Sequence, residues 1–87
     1  MNAMAYACRE GHQEAVEALL EGGGKLNVGV GKERMTPLCY AAAYGHYDLC
    51  KWLIDNKARV LGKDKFKRSP LALACRNGHA RIVHLLL

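Results

Sequence analysis

The chain has 87 residues, of which 51% are hydrophobic and 24% are charged, and its formal net charge at pH 7 is +5. This composition is that of one small folded domain and excludes a disordered tail or a collagen-like fibre. No apolar run approaches the roughly 20 residues that cross a bilayer, and the N-terminus has no signal-peptide pattern. We therefore expect a protein that does not enter a membrane, and four cysteines without a metal-binding or paired pattern favour a reducing, intracellular setting in the cytoplasm or nucleus.

The first predicted unit, residues 1–28, is a pair of short helices in the sequences NAMAYACREGH and QEAVEALL. The apolar residues of the second sequence recur at the spacing i, i+1, i+4, i+5, which indicates one buried helix face. Three consecutive glycines at 22–24 end this pair of helices.

Two further units repeat the same pattern, at residues 29–61 and 62–87. Gly-His occurs at 11–12, 45–46 and 78–79, which gives intervals of 34 and 33 residues. The segments TPLCYAAAYGH and SPLALACRNGH then align with NAMAYACREGH, and YDLCKWLI and ARIVHLLL follow them. Thr36 and Ser69 are predicted N-caps, each followed by a proline at the first helical position, and Gly45 and Gly78 are predicted to end the helices.

The second helix of each unit carries an apolar stripe that its own unit cannot bury. The stripes are Ala15, Val16, Leu19 and Leu20; Leu49, Cys50, Leu53 and Ile54; and Ile82, Val83, Leu86 and Leu87. Consecutive units must therefore stack into a solenoid with a core that runs between repeats. We expect Trp52 to pack between adjacent repeats.

The string Thr-Pro-Leu-x-x-Ala-Ala-x-x-Gly-His, clearest in TPLCYAAAYGH, and the period of about 33 residues resemble the ankyrin repeat family. The resemblance implies an all-α solenoid of stacked helix-turn-helix repeats with β-hairpin-like finger loops, here at residues 28–35 and 62–68. The first finger has one extra residue. Arg34, Lys57 and Lys67 stand where the family often has glycine, and a positive φ there would cost on the order of 1 kcal/mol. We expect about two and a half repeats cut from a longer array.

The positions of the histidines and cysteines indicate structural roles for them. His12, His46 and His79 recur once per repeat, so they lie too far apart to share a metal ion, and we expect hydrogen bonds to backbone beside the helix-ending glycines. The cysteines form no metal motif. Cys8, Cys50 and Cys75 are predicted to be small buried hydrophobes, Cys39 has a less certain position, and two disulfides remain the alternative. We predict no catalytic residue, no metal and no cofactor.

The resemblance implies a protein–protein interaction module that binds its partner through the fingers and the concave face of the first helices. No small-molecule substrate is implied. Carried over by position, the predicted contacts are Arg9, Glu10, Lys32, Glu33, Met35, Ala43, Tyr44, Lys65, Phe66, Arg68, Arg76 and Asn77. Tyr44, Phe66, Arg68 and Arg76 are the expected hot spots. We expect the double substitution Phe66→Ala and Arg68→Glu to weaken binding without unfolding the chain.

The charge distribution suits an acidic partner, and a solvated basic loop that only aids solubility is the alternative. The three units carry net charges of −2, +2 and +5 in chain order, and such a gradient attracts negatively charged molecules. In the alternative hypothesis, the basic run Lys63–Arg68 binds an anion such as nucleic acid or a phosphorylated molecule, although Phe66 is its one aromatic residue. A third alternative is the targeting segment of a larger enzyme.

Overall fold

The computed structural model describes residues 2–87 and consists of three helical hairpins. The helices are α1 (Ala3–Glu10), α2 (Gln13–Glu21), α3 (Pro37–Tyr44), α4 (Tyr47–Asp55), α5 (Pro70–Arg76) and α6 (Ala80–Leu86). Within the described residues, the β pairing is a single antiparallel bridge between Val30 and Met35. The predicted all-α repeat fold is therefore confirmed.

Polar caps start the first helix of every hairpin. The Asn2 side chain accepts hydrogen bonds from the backbone N–H of Met4 and Ala5. Thr36 and Ser69 do the same for the N–H groups three residues later, at 3.2 and 3.1 Å. Each cap satisfies backbone donors that have no partner inside the helix. Asn2 thus replaces the Thr or Ser that begins the first helix of the other two repeats.

The helices form two layers, and the central hairpin is the most buried part of both. α3 contacts α1 on one side and α5 on the other, and α4 packs behind α3 and contacts α6. The apolar stripe predicted on the second helices is buried along α4, at Leu49, Cys50 and Leu53. Ala15 of α2 and Leu87, which follows α6, are exposed. Trp52 packs against the core, as predicted.

Histidines join each repeat to the one before it. The Nε2 atom of His46 lies 2.6 Å from the carbonyl oxygen of Arg9, and that of His79 lies 3.0 Å from the carbonyl oxygen of Ala43. A carbonyl only accepts, so both histidines donate through Nε2. The predicted bond to backbone near a helix-ending glycine is therefore present at His46 and His79, and its acceptor belongs to the preceding repeat. The hydrogen bonds found among residues 2–87 include none from the ring of His12.

Two of these glycines also make room for the histidine of the next repeat. A Cβ atom at Gly11 would lie 2.5 Å from Nδ1 of His46, and one at Gly45 would lie 2.7 Å from Cε1 of His79. Both glycines have positive φ, 73° and 83°, which side chains disfavour. Gly78 has the same backbone conformation, with φ 74°, but nothing lies within 4 Å of its missing Cβ. Gly11 and Gly45 therefore have a packing role that Gly78 lacks.

Three of the four cysteines are buried, and all four are free thiols. Burial raises the pKa of Cys8 and Cys50 to about 12. Burial also raises the pKa of Cys39, and hydrogen bonds with Thr36 act in the opposite direction. The prediction that Cys75 is buried is wrong. Its counterpart Cys8 lies in α1, against which α3 of the following repeat packs, and no helix within residues 2–87 packs against α5 in the corresponding place.

The two glycines give a matched test of the histidine contact. Gly45→Ala adds backbone strain and displaces His79 from its carbonyl, so we expect it to lower the free energy of unfolding by about 2–3 kcal/mol. Gly78→Ala adds the strain alone and should cost about 1 kcal/mol. Urea unfolding followed by circular dichroism measures both, and equal losses would show that the contact contributes nothing.

The cysteines differ enough in burial to predict their reactivity. The thiolate is the reacting species, so a maleimide at pH 8 should modify Cys75 rapidly and the other three only after unfolding. Mass spectrometry of the intact chain should show one rapid adduct in buffer and four in concentrated urea. Cys75→Ser is the control and should abolish the rapid adduct; two or more rapid adducts on the native chain would contradict this assignment.

Candidate functional site

The two fingers are short hairpins of unequal length. In the first, Val30 N–H donates to the carbonyl of Met35 at 2.9 Å; in the second, Asp64 N–H donates to that of Arg68 at 3.1 Å. The hydrogen-bonded residues enclose four residues in the first finger and three in the second. The predicted extra residue therefore lies inside the turn of the first finger. Arg34 and Lys67 take equivalent left-handed positions, with φ of 56° and 62°, so the expected strain at both is present.

Arg68 and Asp64 organise the second finger and tie it to the first. Nε of Arg68 donates to Oδ2 of Asp64 at 2.7 Å, and its Nη2 donates to Oε2 of Glu33 at 2.5 Å. Oδ1 of Asp64 accepts from the backbone N–H of Phe66 and of Arg68, both at 2.9 Å. Lys65 N–H also donates to the carbonyl of Glu33 at 2.7 Å. We refer to Glu33, Asp64 and Arg68 as the Arg68 cluster.

The environment of Asp64 holds it in the charged form. Its side chain is fully buried, and burial by itself raises the pKa of a carboxyl group. Hydrogen bonds from the backbone and guanidinium of Arg68, and from the backbone of Phe66, outweigh burial, so the pKa of Asp64 is lowered. The hydrogen bond between its guanidinium and Asp64 also raises the pKa of Arg68.

The Arg68 cluster changes the role expected for Arg68. Its guanidinium is already engaged by two carboxylates, and its side chain is 25% exposed. A glutamate at this position would set a third carboxylate beside Asp64 and Glu33. In contrast to the expectation from the sequence alone, we therefore expect Arg68→Glu to disturb the fingers, because Arg68 holds them together.

Two adjoining clefts lie where the fingers meet the first helices, and we call this region the finger–helix surface. The larger cleft, about 530 Å³, lies between the second and third repeats. The smaller, about 400 Å³, lies between the first and second. Glu33 and Tyr44 line both clefts and so separate them. Nine of the twelve predicted contact residues line one cleft or the other: Arg9, Lys32, Glu33, Met35, Ala43, Tyr44, Arg68, Arg76 and Asn77.

The other three predicted residues lie outside the clefts. Glu10 pairs with Arg9, with 3.1 Å between Oε2 and Nε. Lys65 and Phe66 form the tip of the second finger, where the phenyl ring is 58% exposed. The guanidinium of Arg68 lies 5.0 Å from the ring centre, and Nζ of Lys65 lies 5.9 Å from it. The tip therefore presents an aromatic ring beside positive charge.

Exposure divides the residues of the clefts into contacts and supports. Tyr44 is 52% exposed, and Arg76 and Asn77 are exposed. Met35 is 6% exposed and packs with Cys39 and Leu73 under the larger cleft, so its side chain offers a partner little area. Tyr44 and Arg76 are the side chains best placed to meet a partner here.

Sequence reasoning missed several residues of the clefts. Tyr40 lines the smaller cleft, and its hydroxyl donates to the carbonyl of Val30 at 3.2 Å, which holds the first finger against α3. Leu73 and His79 line the larger one. The alignment places Tyr40 level with Leu73, a shared position that could have marked both as supports of the fingers.

Residues 2–87 present neither a metal-binding cluster nor a helix that could span a membrane. No group of three or more His, Cys, Asp or Glu side chains within residues 2–87 could hold a metal ion. In the same part of the chain, no helix has both the length and the hydropathy needed to span a bilayer.

Comparison with known proteins identifies the repeats. A family model described as ankyrin repeats in three copies matches residues 1–64, and a single ankyrin repeat model matches residues 66–87. The human transient receptor potential cation channel subfamily A member 1 is 38% identical over 94% of this chain. A probable E3 ubiquitin-protein ligase of Oryza sativa subsp. japonica, XBOS32, is 36% identical, and the ankyrin repeat protein nuc-2 of Neurospora crassa is 30% identical, each again over 94% of the chain.

The match covers nearly the whole chain but little of each relative. It spans 8% of the human channel and of nuc-2, and 16% of the rice ligase. What is shared is thus the repeat array and not the remainder of these large proteins. Because these models match residues 1–64 and 66–87, the chain belongs to the ankyrin repeat family.

Proposed function

We propose that this chain is a protein-interaction module that binds its partner along the finger–helix surface and is not itself a catalyst. Ankyrin repeats are in general protein-interaction modules. The observation that carries the proposal is the convergence of nine predicted contact residues from all three repeats on two adjoining clefts. A polypeptide that follows the row of first helices could occupy both.

The exposed aromatic residues are the expected anchors of binding. Tyr44 stands between the two clefts and Phe66 projects from the second finger, both more than half exposed. Aromatic side chains bury a large area at low entropic cost and dominate many interfaces. Of the four hot spots expected from the sequence, we therefore retain Tyr44, Phe66 and Arg76 and withdraw Arg68.

The state of the nucleophilic and basic groups supports a non-catalytic role. Cys8 and Cys50 have strongly raised pKa values, which disfavour the thiolate. His46 and His79 direct Nε2 at backbone carbonyls. Free thiols throughout are consistent with a reducing compartment, so we propose the cytoplasm or nucleus as its location.

An anionic ligand at the second finger is the second candidate. Lys63, Lys65 and Lys67 are exposed, and none belongs to the ion pairs found among residues 2–87. Such a cluster would bind nucleic acid or a phosphorylated molecule with an affinity that falls steeply as salt rises. A protein held by Tyr44 and Phe66 would lose less affinity.

Removal of the two aromatic anchors tests the main proposal. We expect Tyr44→Ala with Phe66→Ala to reduce capture of partner proteins at least about tenfold, because the anchors are lost while the core is untouched. Affinity capture with the 87-residue chain, followed by quantitative mass spectrometry, measures the loss. Leu61→Ala is the matched control, since Leu61 is 79% exposed but lines neither cleft. Partners lost with the control and kept by the double variant would place the binding surface elsewhere.

The proposal also requires fingers that are rigid before the partner arrives, since ordering them on binding would cost affinity. Asp64→Asn removes the charge at the centre of the Arg68 cluster, and we expect it to lower the free energy of unfolding by about 1–3 kcal/mol at pH 7. Asp64 has a lowered pKa in the folded chain, so its contribution is complete above the unfolded value of about 3.9 and is lost as pH falls through the folded pKa.

The difference between wild type and Asp64→Asn should therefore shrink as pH falls below about 4. Urea unfolding at a series of pH values gives this difference directly. Asp55→Asn is the control, because Asp55 is exposed at the last position of α4. A difference that stays constant with pH, or an equal loss in both variants, would contradict the role assigned to Asp64.

A further inference from the structure

The two helical layers carry opposite charge. The second helices α2, α4 and α6 contain five acidic and two basic residues. The first helices and the two fingers contain eight basic and three acidic residues. The gradient along the sequence is therefore accompanied by a polarity across the array, with the finger–helix surface positive and the opposite face negative. An acidic partner would be steered to the finger–helix side.

The three acidic residues on the positive side are already paired. Glu10 pairs with Arg9, and Glu33 and Asp64 both pair with Arg68. These are the ion pairs present within residues 2–87, and they leave six basic residues of that side outside them: Lys32, Arg34, Lys63, Lys65, Lys67 and Arg76. The positive charge of the fingers is thus left for a partner to neutralise.

Charge is unevenly placed along the row of first helices. Lys32, which lies outside the ion pairs found among residues 2–87, and Arg9, which pairs with Glu10, line the smaller cleft at one end. Arg76 lines the larger cleft at the other end. Between them lies Glu33, which lines both clefts and whose side chain is 50% exposed. Glu33 belongs to the Arg68 cluster, whose two carboxylates and one guanidinium sum to one negative charge. The centre of the surface also holds Ala43 and the ring of Tyr44. The order along the row is therefore positive, negative and apolar, then positive.

We infer that the finger–helix surface binds an extended polypeptide segment with acidic side chains at both ends of a neutral, partly apolar stretch. α1, α3 and α5 lie side by side, so two helix spacings separate Arg9 from Arg76, or roughly 16–20 Å. An extended chain rises about 3.3 Å per residue, so the neutral stretch is about five or six residues long. This inference rests on the proposed function and specifies its partner.

The same pattern disfavours a nucleic acid on this surface. A nucleic acid carries a charge at every phosphate, so one of its phosphates would meet the exposed Glu33 at the centre of the row. Arg68, whose planar fork suits phosphate best, is occupied by carboxylates. Phe66 is the single aromatic side chain of the fingers, whereas single-strand binders stack several bases. A peptide can leave its centre uncharged, and a nucleic acid cannot.

Two synthetic peptides of identical composition test the charge pattern. One has two glutamates at each end of six neutral residues that include leucine; the other has its four glutamates in the centre. Fluorescence anisotropy with the 87-residue chain should show the end-charged peptide binding at least about fivefold more tightly, with a lower affinity at higher salt. Glu33→Gln should narrow this preference, because it removes the central negative charge.

Charge reversals on the two faces provide the matched control. Arg76→Glu should weaken binding of the end-charged peptide about tenfold, whereas Lys51→Glu, at an exposed position of α4, should leave it within about twofold, although both change the net charge equally. Circular dichroism confirms that each variant is folded.

Several results would overturn the inference. Equal affinity for the two peptides, or equal losses from the two charge reversals, would mean that net charge alone drives binding. Tighter binding of a ten-nucleotide oligo-dT would favour the nucleic-acid alternative instead. If neither peptide binds while Tyr44 and Phe66 are still needed to capture a protein, the partner is not acidic and the proposed function stands. If neither peptide binds and those aromatic residues are dispensable as well, both this inference and the proposed function fail.

Discussion

The contact that the rest of the structure depends on joins a histidine of one repeat to the end of a helix in the repeat before it. His46 and His79 donate to carbonyls in the last turns of α1 and α3, and each ring occupies the space left by a glycine without a side chain. This contact is specific in direction and distance, whereas the apolar core alone would tolerate sliding of one hairpin along another. It therefore sets the register between neighbouring repeats.

The register between neighbouring repeats in turn determines the positions of the two fingers. With α1, α3 and α5 held in a row, the second finger falls against the first, and Lys65 N–H reaches the carbonyl of Glu33. Arg68 can then bridge Asp64 of its own finger and Glu33 of the other. Because neither finger has a ladder of its own beyond one or two hydrogen bonds, their rigidity comes from these contacts between repeats. The shape of the binding surface is thus a property of neighbouring repeats and not of any single one.

The sequence predicted well the features that are decided within one repeat. The caps at Thr36 and Ser69 and the turn at Gly45 depend on residues less than one helix apart, so their chemistry is visible in the chain itself. The sequence predicted poorly what depends on a neighbour in space. Cys75 has the same local pattern as Cys8 but lacks the helix that covers it, and Met35 is buried by Leu73 of the next repeat. Arg68 looked like a free contact residue because Glu33, its second acceptor, is 35 residues away in the chain.

The distribution of charge also depends on how the repeats fold together, and this arrangement matters for recognition of a partner. Read along the chain, the charge rises from negative to positive and indicates attraction to acidic molecules without saying where they bind. Folding sorts those residues by their position within each repeat, since the first helices and fingers form one face and the second helices the other. The five acidic residues of the second helices are thereby turned away from the fingers, and the three that remain are paired with arginines. A modest net charge becomes a strongly positive surface with one negative point at its centre, and such a pattern can discriminate between partners of equal charge.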